Sequence, residues 1–414
     1  MTISNAPLSE PHTAFVWIWL PDESEPVVCG RLDLDQDQIL FTYARSYKNR
    51  PDAVPIFEPE LPLNAESPVA AADGTRLPLC IDDAMPDSWG RRLVNYRLQA
   101  GFAELSELTY LLSSGSDRIG ALDFQVSSDR YVPREDSSPT LEELADAARL
   151  IEEGKPLHER LTQALLHGTS IGGARPKALL RDGESHLIAK FSSTTDTYPV
   201  VKGEFVAMSL ARRCGLDVAP VSIIEIHGRS ALLVERFDRP GGLRRQRVVS
   251  AVTVLGMNTF PGGRYATYAL LADAVRGSFM EPDVTLRELF GRISFNILCG
   301  NTDDHGRNHA ALVFEHGLRL SPAYDICPQP RGGSFASQAM AYDSEGTRIS
   351  AVAPLIRSAA IYHLDPAAAN GIVQQQVQTI RDSWNDVCDE ARLTVLERDQ
   401  FMGGQFLNPV ALEA

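Results

Sequence analysis

Between Asn301 and Asp325 the chain reads Asn-Thr-Asp-Asp-His-Gly-Arg-Asn-His, then two short apolar segments around Glu315-His316-Gly317, then Ser-Pro-Ala-Tyr-Asp. No other stretch restricts the possible folds as much. The apolar run Leu289–Leu298 ahead of it predicts a helix, and Ala310–Phe314 with Leu318–Leu320 predicts a hairpin behind it. That order brings three side chains to one place: Asp303, Asn308 four intervening residues later, and Asp325 at the hairpin's far end. Phosphoryl transfer needs this set, with one aspartate beside the attacking hydroxyl and an asparagine and a second aspartate on magnesium. Magnesium keeps several waters, so one Asp and one Asn suffice. Two other readings stand beside this one. Asp303, Asp304, His305 and His309 could form a transition-metal cluster, or the loop could be polar, solvated and without chemistry.

The surrounding pattern predicts an α+β chain of three units. Its 414 residues suggest about two or three domains on length alone. Residues 1–126 read as a β-rich N-terminal subdomain, with a strand at Phe15–Leu20, a hairpin from Val27–Asp35 and Ile39–Ala44, and a helix near Asp87–Leu93 capped by Asp87 or Ser88. Residues 127–240 open on a polar linker, Ser127–Thr140, and a helix from Leu141 to Glu153 with Thr140 as its cap. A glycine-rich turn from His167 to Lys177 follows, then strands Ala178–Asp182 and His186–Phe191, a helix Glu204–Cys214 closed by Gly215, and another hairpin. Residues 241–414 are mainly helical around the loop described above. This is a two-lobed plan, and no internal repeat interrupts it.

Supporting groups lie upstream. Gly168, Gly172 and Gly173 would let backbone N–H groups approach phosphates, although the turn matches neither the dinucleotide nor the Walker pattern. Lys190, ending an apolar strand, could reach the same phosphates or be a surface cation. Glu204 could pair with it or be a plain first-turn carboxylate. The segment Glu235-Arg236-Phe237 follows an apolar strand, where a connection between lobes would offer backbone groups to an adenine. A strand end with a core phenylalanine explains it as well.

Bulk properties exclude other classes. A net charge of −15 and a pI near 5.1 argue against stand-alone nucleic-acid binding. Six scattered cysteines without a CxxC pair suggest free thiols in a reducing compartment, and the N-terminus predicts no secretory signal. No run of 18 apolar residues exists to span a membrane. A cytoplasmic protein is expected.

The chain resembles the HipA-like serine/threonine kinase toxins over nearly its whole length. The resemblance rests on Ser170-Ile171-Gly172-Gly173-Ala174-Arg175-Pro176-Lys177, on Val234–Arg239, on Asn301–His309 and on Ala323-Tyr324-Asp325. N-terminal markers of the same family are Tyr43–Leu63, Met85–Leu93 and Asp117–Leu122. It implies a protein-kinase-like core that uses ATP and magnesium, with Asp303 catalytic and Asn308 and Asp325 on the metal. Lys190, His305, Ser170, Gly172, Gly173 and the Glu235–Phe237 segment would contact ATP. Ser170 would be an autophosphorylation site that shuts the enzyme down. The implied substrate is a translation component such as an aminoacyl-tRNA synthetase. The implied partner is a helix-turn-helix antitoxin of HipB type, through which alone the chain would meet DNA. Arg175-Pro176 departs from the Gln-Glu common in relatives, and proline removes one backbone donor from the turn.

Overall fold

The structure is a computed structural model that describes residues 10–72, 74–100, 105–134, 140–155, 175–193, 195–257, 265–331 and 335–413. Ser170, Gly172 and Gly173 lie outside the described residues. Three antiparallel sheets carry the architecture. Strands β1 (Thr13–Trp19), β2 (Pro26–Asp35), β3 (Gln38–Tyr43) and β4 (Leu122–Gln125) form the first, in the order β3-β2-β1-β4. The three predicted strands are present, and β4 closes the sheet from more than a hundred residues downstream of β1. Numbering helices of seven residues or more, α1 (Ser88–Leu98) and α2 (Glu107–Ser113) follow β3. Asp87 caps α1 by accepting from the Gly90 amide at 2.7 Å.

The second sheet runs β5-β6-β8-β7, from β5 (Lys177–Asp182), β6 (Ser185–Phe191), β7 (Val221–Ile226) and β8 (Arg229–Glu235). Helix α3 (Leu141–Glu152) opens on a complete capping box between Thr140 and Glu143 and packs on β5 and β7. Helix α4 (Val200–Arg213) lies against β7 and β8. It begins four residues before the expected start at Glu204, running straight through Gly203. That glycine, which reads as a break, is a contact point: a Cβ there would sit 2.9 Å from the Phe401 ring. Glu204 is therefore a buried residue inside the helix and not a first-turn carboxylate.

The third sheet, β11-β10-β9, is small: β9 (Val248–Ser250), β10 (Ala310–Phe314) and β11 (Gly317–Leu320). The remaining numbered helices are α5 (Tyr268–Ser278), α6 (Pro282–Cys299), α7 (Pro366–Glu390) and α8 (Val395–Phe401). Every residue of α6 from Leu289 to Cys299 is buried, as expected of a helix enclosed on all sides by α5, α7 and their neighbours. Buried side chains from all three sheets and from α6 belong to one hydrophobic cluster. Among the described residues no helix is long and apolar enough to cross a membrane.

Candidate active site

Helix α6 aims the central loop. It ends at Gly300, whose φ of 73° is left-handed and whose Cβ, if present, would lie 2.8 Å from the Gln405 carbonyl oxygen. Only glycine meets both demands. The chain then runs without regular structure to a single 3-10 turn, Gly306–Asn308. Asn308 folds back, its Nδ2 donating to the Asp303 carbonyl oxygen at 3.3 Å. Asp303 itself is exposed. Protein packed around its carboxyl still lifts its pKa above the usual value, helped by the like charges of Asp325 and Asp304 and opposed by His305. His305 is half-buried at the head of the turn, within electrostatic reach of Asp303, Asp304 and Asp325.

Asp304 has another job. Its Oδ2 accepts from the Tyr268 hydroxyl, from Asn296 Nδ2 at 2.6 Å and faces His309 Nε2 at 3.0 Å, all inside the core. Asp304 and His309 therefore brace the loop against α5 and α6. The transition-metal reading is corrected on this point, and no three His, Cys, Asp or Glu side chains gather as a metal site among the described residues. Burial opposes ionisation of Asp304, but His309 and Tyr268 hold its carboxyl below the usual range. Its contribution to stability is thus full above the unfolded carboxylate value near pH 4 and fades as pH falls through the lower folded value. Asp304→Ala should cost on the order of 3 kcal/mol at neutral pH, because three buried donors lose one acceptor at about 1–3 kcal/mol each. Urea unfolding of both proteins at pH 7 and pH 3 checks this, and the difference between them should shrink in acid.

Asp325 arrives from the other side. Arg292 on α6 donates to the Ser321 carbonyl at 2.9 Å, and the Ala323 amide donates to the Asp217 carbonyl at 2.7 Å. Those bonds fix the segment after β11, and Asp325 then takes a left-handed φ of 59°, uncommon for a residue with a side chain. Its Oδ1 lies 2.6 Å from Lys190 Nζ, which also meets Glu204 Oε1 at 2.5 Å. Burial alone would discharge Lys190; Asp325 and Glu204 hold its ammonium above its ordinary pKa. Burial likewise opposes the Asp325 charge, yet Lys190, and after it Lys177 and His305, hold that carboxyl low. Lys190 is thus a half-buried bridge between a helix glutamate and the Asp325 segment rather than a free surface cation.

Lys177, the last residue of the glycine-rich turn, stands opposite Lys190 across the β5–β6 ladder. The two-residue turn Gly183-Glu184 fixes that register, so the pairing was legible from the sequence. Lys177 is 2% exposed, and its Nζ lies 2.5 Å from Asp87 Oδ2, a partner ninety residues upstream that no local pattern reveals. The unusual Arg175-Pro176 pair also has its place. Arg175 meets Asp196 at 2.6 Å, and Pro176, needing no N–H there, accepts from the Phe191 amide.

At the end of β8, Glu235 is exposed and gives its N–H to the Pro220 carbonyl. The half-buried Phe237 ring lies 5.6 Å from that of Tyr324, the residue before Asp325. Between and beyond them, Arg236, Asp238 and Arg239 are buried in an ionic knot. Arg236 and Arg239 meet Asp117 Oδ1 at 3.0 and 2.5 Å and Asp238 Oδ2 at 2.9 and 2.6 Å. The Gly120 amide donates to Asp238 at 2.7 Å. Burial opposes the charge on Asp117, but the two guanidiniums hold its carboxyl well below the usual range. The markers Asp117–Gly120 and Arg236–Arg239 are thus one interlocked unit. Tyr324 Oη also donates to the Arg307 carbonyl at 2.8 Å, tying the Asp325 segment to the central loop.

Comparison with known proteins matches residues 169–384 to the HipA-like C-terminal domain and residues 19–125 to the HipA N-terminal domain. A protein of Sinorhizobium fredii, Y4mE, is 29% identical over 304 residues, 65% of this chain and 69% of its own. The serine/threonine-protein kinase toxin HipA of Shewanella oneidensis is 27% identical over 319 residues, 67% of this chain and 70% of its own. Among solved structures, the Shewanella oneidensis toxin–antitoxin complex of HipA, HipB and operator DNA shares the fold. Its TM-score is 0.61 at 20% identity, covering 96% of this chain and 99% of that one.

Proposed function

The chain belongs to the HipA-like family, and from that premise we propose that it is an ATP- and magnesium-dependent serine/threonine protein kinase acting as the toxin of a toxin–antitoxin pair. The observation that carries the reading is the Lys190 bridge, which joins a strand lysine and helix glutamate of one lobe to an aspartate of the other. Phosphoryl transfer asks for that arrangement: a lysine held charged for the phosphates, and an acid beside it for the metal. The remaining donors fit magnesium, since Asn308 and Asp325 offer oxygen and little negative charge. Asp325 also pushes the Asp303 carboxyl up, a repulsion that a cation at the site would relieve. Bound magnesium would neutralise phosphate charge. Asp303, exposed and less acidic than usual, orients the substrate hydroxyl and takes its proton. The Glu235 amide is engaged with Pro220, so the Glu235 carbonyl and the Phe237 amide are left to meet an adenine, with Phe237 and Tyr324 at its flank. His305 completes the phosphate side.

The relative solved with HipB and operator DNA supports a HipB-type helix-turn-helix partner, and a charge of −15 suits a chain that leaves DNA to that partner. The substrate would be a protein of translation such as an aminoacyl-tRNA synthetase. Ser170 would be the site of self-phosphorylation. Arg175 and Lys177, the nearest cations in sequence, are already paired with Asp196 and Asp87, so a phosphate on Ser170 has to compete with those carboxylates. The test is incubation with γ-labelled ATP and magnesium against proteins and against small-molecule acceptors, with peptide mapping and nucleotide titration. Label should enter protein, including Ser170, in the wild type and not in Asp303→Ala, and the Ser170-phosphorylated form should bind ATP poorly. Label confined to small molecules would give a phosphotransferase instead. Absence of ATP binding would leave only a silent co-repressor.

A further inference from the structure

The pair Asp87–Lys177 has no assigned role in the reaction. Lys177 and Lys190 are cross-strand neighbours on β5 and β6, so their side chains leave the sheet on the same face. Both act on the Asp325 carboxylate, Lys190 more strongly. Two ammonium groups so placed repel each other, and each needs its own acid. Glu204 from within the same lobe serves Lys190, whereas the acid for Lys177 comes from the N-terminal part of the chain.

Energetics argue that this pair is not kept for stability. Burial raises the Asp87 carboxyl and lowers the Lys177 ammonium in spite of their attraction, so both are pulled toward neutrality. Replacing a buried ion pair by apolar residues is commonly neutral or stabilising. Asp87 also divides its labour by atom. Oδ1 caps α1 through the Gly90 amide, and Oδ2 faces Lys177. The same short segment reaches the other lobe. Asp82 meets Arg307 of the central loop at 2.7 Å, and Asp83 accepts from the Ser250 amide at 2.7 Å and the Thr253 hydroxyl at 2.8 Å.

We infer that Asp87 is a positioning residue for phosphoryl transfer: held by the helix cap, it keeps Lys177 charged and aligned beside Lys190, so that the N-terminal subdomain completes the site for a nucleoside triphosphate. The inference rests on the kinase reading above. Asn caps helices as well as Asp does, so Asp87→Asn removes the charge facing Lys177 and keeps α1. Steady-state kinetics with ATP-magnesium, nucleotide titration and thermal melts on the full chain test it, using Asp87→Asn, Asp87→Glu, Lys177→Met and the double variant Asp87→Asn/Lys177→Met. Asp87→Asn and Lys177→Met should each raise the KM for ATP about tenfold or more, the scale of one charge-assisted contact. The double variant should be no worse than Lys177→Met, since the two act as one unit. Asp87→Glu should recover part of the loss. The melt of Asp87→Asn should fall, because the buried Lys177 loses its carboxylate, and the double variant should restore the melt while its KM stays raised. A raised KM in Lys177→Met with wild-type kinetics in Asp87→Asn would overturn the inference and leave the kinase reading standing. An unchanged KM in Lys177→Met, or a lowered melt in Asp87→Asn with no change in KM, would also overturn it. A wild type that binds no ATP would remove both.

Discussion

Asp303→Ala and Asp325→Ala should each abolish phosphoryl transfer while the fold survives. Asp303 is exposed, and its backbone carbonyl, which alanine keeps, accepts from Asn308 Nδ2. Loss of a positioned proton acceptor costs about 10²–10⁴-fold in rate. Asp325 is different in two respects. Its removal takes away the proposed metal donor, so magnesium-dependent ATP binding should weaken more than in Asp303→Ala. It also leaves Lys190 with Glu204 at 2.5 Å, so the half-buried ammonium keeps one partner. Because Asp325 sits at a φ of 59°, Asp325→Asn is the safer companion variant, asparagine tolerating that conformation better than alanine. Single-turnover transfer and ATP titration with magnesium or with a chelator measure both effects. Equal retention of activity in the two variants would sink the kinase assignment.

Lys190→Met should lower kcat/KM for ATP by roughly 2–4 kcal/mol of transition-state stabilisation, the scale of removing one preorganised donor. Methionine fills similar volume, so the loss is electrostatic. Burial already lifts the Glu204 carboxyl with Lys190 beside it; without the lysine Glu204 takes up a proton, and Asp325 loses its strongest counter-charge. The melt should therefore fall little and the kinetics greatly. Wild-type kinetics with a lowered melt would make the bridge purely structural.

The contrast between Lys190 and Lys177 shows what was legible in the sequence and what was not. Hairpins, capping residues and the Asp-x4-Asn loop are local signals, and β5 to β8, the α3 capping box and the loop between α6 and β10 all follow from them. Lys190 stood out because an apolar strand ended on it after a glycine-rich turn. Lys177 did not, because its meaning depends on Asp87, and ion pairs between distant segments leave no periodic trace. Asp304 misled for the same reason: beside Asp303 it reads as a second metal acid, and only Tyr268, Asn296 and His309 reveal it as a core brace. The helix containing Glu204 begins before Gly203, a residue that locally weakens a helix and here permits close packing against Phe401.

The knot at the end of β8 bears on how such a chain can be inherited. Arg236 and Arg239 are buried with two carboxylates, one from their own lobe and one, Asp117, from the first sheet's side of the molecule. A gene rearrangement that joined this kinase-like half to a foreign leading segment would strand two guanidiniums on Asp238 alone, and an uncompensated buried ion costs several kcal/mol. A foreign leading segment is tolerated only if it brings an acid to the Asp117 position, so one half sets a condition on the sequence of the other, although their sheets are separate.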